Sequence, residues 1–70
     1  MQRIKSRHQL EVGKSYCYKD CNWYVFLEEY NDNLSIFVDY KLLEKYSDAN
    51  DIPSYCYIYL TNEEIKSLAY

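Results

Sequence analysis

The stretch Trp23-Tyr24-Val25-Phe26-Leu27-Glu28-Glu29-Tyr30, the triplet Asn31-Asp32-Asn33, and the run Leu34-Ser35-Ile36-Phe37-Val38-Asp39-Tyr40 decide the architecture of this chain. Both flanking runs are rich in β-branched and aromatic residues, which fit a pleated, half-buried surface. The Asn/Asp triplet between them is a turn signal, because short polar side chains satisfy turn backbone locally. An antiparallel hairpin follows. Side chains alternate along a strand, so Leu34, Ile36, Val38 and Tyr40 share one face of the second strand, and Ser35, Phe37 and Asp39 the other. The first strand is apolar on both faces around Tyr24 and Phe26. A lone antiparallel sheet leaves one face wet, so the sheet must either close on itself or have its second face covered.

The flanks supply the remaining elements. Gly13 marks a turn or bulge, residues 14–19 read as a strand, and Asp20-Cys21-Asn22 as a hairpin turn. Leu42, Leu43 and Tyr46 have the spacing of one or two helical turns, and residues 47–53 form the longest loop. Residues 54–60 alternate as a last long strand. Thr61 and Glu64 fit a capping box that opens a helix carrying Ile65, Leu68 and Ala69. The expected fold is mostly β, a small α+β protein. It has a four-to-five-stranded bent antiparallel sheet, open or closed into a small SH3-like barrel, with a short C-terminal helix. Residues 1–70 form one domain: a basic arm over 1–8, edge strand or mobile, then an antiparallel β core over 9–60, then a helix over 61–69. A core this small rarely supplies more than roughly 3–5 kcal/mol.

The tetrapeptide Ser-Tyr-Cys-Tyr occurs twice, at Ser15–Tyr18 and Ser54–Tyr57, and the second copy continues through Ile58-Tyr59-Leu60. If strands 14–19 and 54–60 pair, Cys17 and Cys56 share the core face with Ile58 and Leu60. Tyr16, Tyr18, Tyr55, Tyr57 and Tyr59 then form an aromatic wall on the other face. Such a wall either laces the sheet together, with the C-terminal helix over it, or serves as a binding face, since Tyr offers contact area with a polar tip at little entropic cost.

Charge is unevenly placed. Residues 1–19 hold five cations against Glu11 alone, and residues 20–70 hold ten acids against Lys41, Lys45 and Lys66. The acids at Glu28, Glu29, Asp32, Asp39, Glu44, Asp48, Asp51, Glu63 and Glu64 give a soluble surface that repels polyanions and steers a basic partner. Base stacking on the tyrosines would need a positive groove, and only Arg3, Lys5 and Arg7 offer one.

Catalysis and metal binding find little support. Cys17, Cys21, Cys56 and His8 compose a Cys3His set on paper, but no second knuckle pair follows Cys17-x3-Cys21. A Cys17–Cys56 disulfide across paired strands is conceivable, although three cysteines leave one over and reduced thiols in a cytoplasmic setting are the simpler account. His8 is the single histidine, Gly13 the single glycine, and neither a nucleophile–base pair nor a phosphate-cradling loop can be composed from them. Met1 to Leu10 lacks the apolar core of a secretion leader, and no apolar run approaches the ~20 residues of a membrane span. The expectation is a cytoplasmic protein that is not an enzyme and holds no cofactor or metal. A chain of this length, starting at its own Met, is read as a free-standing interaction module. It would occupy a larger protein's surface through Tyr16, Tyr18, Tyr55, Tyr57 and Tyr59, as small inhibitors and regulators encoded by phages or mobile elements do. Nucleic-acid binding through the basic arm is the alternative, and homodimerisation through the tyrosine face or an edge strand is a third possibility.

Overall fold

The computed structural model describes residues 2–18 and 22–70. Five strands, β1 (Ser15–Tyr18), β2 (Asn22–Glu29), β3 (Leu34–Asp39), β4 (Ile58–Thr61) and β5 (Leu68–Ala69), form one antiparallel sheet. The order is β4-β3-β2-β1-β5. Two helices complete it, α1 (Tyr40–Tyr46) and α2 (Asn62–Ile65). The sheet is open, with β4 at one edge and β5 near the other, so the second face is not protected by barrel closure. The turn expected at Asp20–Cys21, and the end of the first strand at Lys19, lie outside the described residues.

The central hairpin forms as expected. The Asn31 carboxamide oxygen accepts from the Asn33 and Leu34 N–H groups at 2.9 and 2.8 Å, and Phe26 pairs with Phe37 and Val25 with Val38. The register shifts between Phe26 and Glu28, which makes Leu27 a bulge residue. The bulge sets Glu29 rather than Glu28 opposite Ser35. Gly13 turns the chain into β1 with φ +84, a conformation L side chains rarely adopt. Its N–H donates to the Phe26 carbonyl at 2.8 Å.

Alternation divides the core in two, because both faces are covered. On the first face Tyr16, Phe26, Phe37, Leu60 and Leu68 pack with Ile4 and Leu10 from the N-terminal segment and Ile65 from α2. On the second, Val25, Leu27 and Val38 lie under Leu42, Leu43 and Tyr46 of α1 and Ile52, Cys56 and Tyr57 of the following loop. Asp39 starts α1 by accepting the Lys41 N–H at 2.9 Å, a capping bond that satisfies one orphan donor of the first turn.

Three expectations are corrected. Residues 54–60 are not one strand: Ser54–Cys56 form a 3-10 turn after Pro53, and only Ile58–Thr61 pair. The Cys56 and Tyr57 N–H groups bond back to the Pro53 and Ser54 carbonyls at 2.9 and 3.0 Å, so they are unavailable to a ladder. The C-terminal helix does not reach residue 69. The capping box at Thr61 and Glu64 is present, but the helix ends at Ile65 and Leu68–Ala69 become β5. A helix this short has little stability of its own, and pairing the tail with β1 covers a sheet edge that would otherwise be open. Nor is the basic arm loose. The Ile4 N–H donates to the Leu68 carbonyl at 2.9 Å, Gln2 and Tyr70 exchange backbone bonds at 3.2 and 2.9 Å, and Arg3 bridges Ala69. Ser6 and Gln9 then form a capping box around a 3-10 turn over Arg7–Gln9.

Candidate functional site

The two Ser-Tyr-Cys-Tyr copies do not meet. β1 lies between β2 and β5, and β4 is at the far edge, so the expected wall of five tyrosines is dispersed. Tyr16 is 1% exposed in the first core, edge-on to Tyr70 at 6.1 Å, and its hydroxyl oxygen accepts the Glu11 N–H at 2.9 Å. It therefore offers no surface to a partner. Tyr18 is half-buried on the same face, edge-on to Tyr24 at 6.3 Å. Tyr57 is half-buried in the second core. Only Tyr55, in the 3-10 turn, and Tyr59, on the edge strand, are exposed, at 85% and 42%. Tyr59 stacks edge-on with Tyr30 at 5.1 Å.

The cysteines separate in the same way. Cys17 is buried opposite Trp23 and Ala69, on the face away from its neighbours Tyr16 and Tyr18. Cys56 packs in the loop over the second face. The two cysteines do not share a face with Ile58 and Leu60 as expected. Among the described residues no three His, Cys, Asp or Glu side chains are gathered as metal ligands would be; Cys21 lies outside them.

An aromatic opening lies elsewhere, and two residues that sequence reasoning passed over form it. Helix α1 packs over β2 and β3 on the second face. Trp23 stands there because it alternates with Val25 along β2, directly opposite Cys17. Tyr40 stands beside it because Asp39 pairs with Tyr24 and the chain then turns into α1. Their side chains, 40% and 46% exposed, wall a cleft of about 310 Å³ with Ser15. A second hollow of about 180 Å³ continues from it, bordered by Asn22, Asp39 and Lys41. The site is thus an aromatic slot with a polar rim that carries one charge of each sign. Among the described residues lining it, no nucleophile is paired with a base. Asp39 is already engaged as the helix cap, which fixes its carboxylate and the start of α1 together. The signal for Trp23 was present in the alternation of β2. The signal for Tyr40 depended on where α1 begins relative to the sheet, which residue spacing alone does not give.

Comparison with known proteins found no matching family model, curated protein or solved structure. Among the described residues no helix is long and apolar enough to cross a membrane.

Proposed function

We propose that this chain is a non-enzymatic protein-interaction module whose principal anchor is the Trp23–Tyr40 slot, of the kind that regulates or inhibits a larger protein by occupying its surface. The observation that carries this reading is the exposure of two large aromatic rings side by side over a cleft of about 310 Å³. Interface energy concentrates in a few Trp, Tyr and Arg residues set in pockets and surrounded by polar residues that exclude water. The slot has that composition, and both walls are held by regular structure rather than by a loose loop, so little ordering entropy is lost on binding. Its size and lining suit an apolar side chain of the partner inserted between the rings, with Asn22, Asp39 and Lys41 as the hydrogen-bonding rim. Tyr55, 85% exposed, is the tyrosine of the second tetrapeptide copy that a partner could reach without disturbing the core. The alternative, a nucleic-acid module, loses the free arm on which it rested, since that segment is paired with the tail and packed through Ile4.

The test is affinity capture with the wild-type chain beside Trp23→Ala/Tyr40→Ala, followed by titration of the purified captured protein. Trp23 is the single tryptophan and reports directly: binding should shift its emission to the blue. Loss of a hot-spot residue costs about 2 kcal/mol or more, so the double variant, at about 4 kcal/mol, should bind about a thousandfold more weakly. Unchanged affinity in a folded double variant would remove the slot as the anchor.

A further inference from the structure

The surroundings of the Trp23–Tyr40 slot narrow the kind of segment that can fill it, given its reading as a protein-binding anchor. Proteins recognise peptides in a few recurring ways. Adding a strand needs a free sheet edge, but β1 lies between β2 and β5, and β2 between β1 and β3. Both ladders beneath the slot are already taken. Docking an amphipathic helix needs a groove that receives anchors from successive turns. The cleft instead offers two aromatic rings with Ser15, and it passes into a hollow bordered by the polar and charged Asn22, Asp39 and Lys41. A phosphorylated motif needs clustered arginines, and none lines the slot. A polyproline II segment seated against aromatic rings meets none of these obstacles.

The polar groups of the slot suit the same ligand. A polyproline II backbone leaves its carbonyls unpaired, and proline has no N–H. Such a segment needs donors from its receptor. The Trp23 indole N–H and the Lys41 ammonium are donors only, and the Ser15, Asn22 and Tyr40 side chains can each donate. Among the described residues none of these five side chains is spent on a hydrogen bond or ion pair within the chain. Asp39 is the acceptor of the set. One carboxylate oxygen takes the Lys41 N–H at 2.9 Å, which leaves the other for a cation of the ligand. Residues 20–70 hold ten acids against three lysines, so the body draws in a basic segment and repels an acidic one.

We infer that the slot receives a proline of an extended, proline-rich segment of the partner, with a basic residue of that segment beside Asp39. The pyrrolidine ring is the apolar side chain between Trp23 and Tyr40, and the neighbouring carbonyls accept from the indole N–H and the rim. A proline-rich segment is already extended before it binds, so it loses little ordering entropy on docking. That advantage matters for a cleft of about 310 Å³ walled by only two large rings, where the gain per contact has to come from a ligand that needs no folding.

The test is fluorescence and amide-resolved NMR titration of the whole chain with synthetic peptides: decaproline, decaproline with an arginine at each end, a Gly/Ser peptide of equal length, and an amphipathic helical peptide. Decaproline should shift Trp23 emission to the blue saturably and move the amides of Ser15, Asn22, Tyr40 and Lys41, and the Gly/Ser peptide should do neither. The arginine-flanked peptide should bind several-fold tighter at low ionic strength, and salt should narrow the gap. Tyr40→Ala should weaken decaproline about tenfold or more while the rest of the spectrum stays in place. Asp39→Asn, which retains a helix-capping side chain, should bring the two proline peptides to equal affinity. No saturable response to decaproline, shifts that map away from the slot, tighter binding of the helical peptide, equal affinity of the two proline peptides for the wild-type chain, or an unaffected Tyr40→Ala would each overturn the inference. If decaproline fails while Trp23→Ala/Tyr40→Ala still loses the captured protein, the slot stands as the anchor and its proline ligand falls. If that double variant binds the captured protein normally, both readings fall.

Discussion

Ile4→Ala is the sharpest probe of this fold, because it strikes a segment that reads as a charged tail. Ile4 is 2% exposed and packs with Tyr16, Phe37, Ile65 and Leu68. Truncating a buried isoleucine loses the transfer free energy of its methyl groups and leaves a cavity, together about 2–5 kcal/mol. A domain of this size holds only roughly 3–5 kcal/mol in total, so the substitution should remove most of the stability. Urea unfolding followed by Trp23 emission measures it. With a slope of about 1 kcal/mol/M, the low end for a small protein, a loss of about 3 kcal/mol lowers the midpoint by about 3 M. The neighbouring Lys5→Ala, at an exposed position, should stay within about 0.5 kcal/mol of wild type. Hydrogen exchange gives an independent reading: the Gln2, Ile4 and Tyr70 amides donate to backbone carbonyls between the two ends of the chain and should be protected. A midpoint for Ile4→Ala within about 0.5 M of wild type, together with fast exchange at those amides, would show that the segment is not docked and would refute the account of the first core. The result also governs how binding experiments are read, since deleting residues 2–7 would unfold the domain rather than merely remove charge.

Two further substitutions test local readings. Ser35→Ala should stabilise the protein by about 1 kcal/mol, because the Ser35 hydroxyl is fully buried with no partner among the described residues and an unsatisfied hydroxyl is costly to bury; a destabilised variant in thermal unfolding would mean that Oγ is bonded. Ser47 follows α1 at φ 66, ψ −32, where a Cβ is strained, so Ser47→Gly should gain about 0.5–1 kcal/mol by the same measurement, and a loss would place the strain elsewhere.

The elements with strong local signals were legible before the structure. The hairpin around Asn31–Asn33, the turn at Gly13, the helical turns over 41–46 and the capping box at Thr61 all form, because each is decided by a few neighbouring residues; Tyr40, read as the end of the third strand, instead begins α1. The parts that were not legible depend on contacts distant in sequence. Nothing local tells that Ile4 bonds to Leu68, or that the tail leaves its helix after one turn to pair with β1. The edge of β1 recruits the tail, and the outer side of the tail then takes up the N-terminal segment; neither edge exists until the sheet has formed. The candidate slot was half legible for the same reason. Trp23 follows from strand alternation, whereas Tyr40 beside it follows from where the chain leaves β3 for α1.

The repeated tetrapeptide shows how far such context reaches. The first Ser-Tyr-Cys-Tyr has a pairing partner on each side, β2 and β5, and is drawn into the ladder with Tyr16 in the core. The second follows Pro53, whose fixed φ suits a turn, and its N–H groups at Cys56 and Tyr57 close back onto Pro53 and Ser54. One composition thus yields a buried tyrosine in one place and Tyr55, 85% exposed, in the other. The sheet edge beyond it shows the same economy of free groups. Asn62 donates to the Asn33 carbonyl, so by the alternation of an antiparallel ladder Leu60 and Ile58 turn their backbone groups toward β3, and Tyr59 and Thr61 turn theirs outward. The Thr61 N–H is taken by Glu64 at 3.0 Å. Of the outward N–H groups of β4, that leaves Tyr59 at the edge, too little for a partner strand to extend the sheet. A partner approaching the β4 edge therefore meets side chains rather than a free ladder.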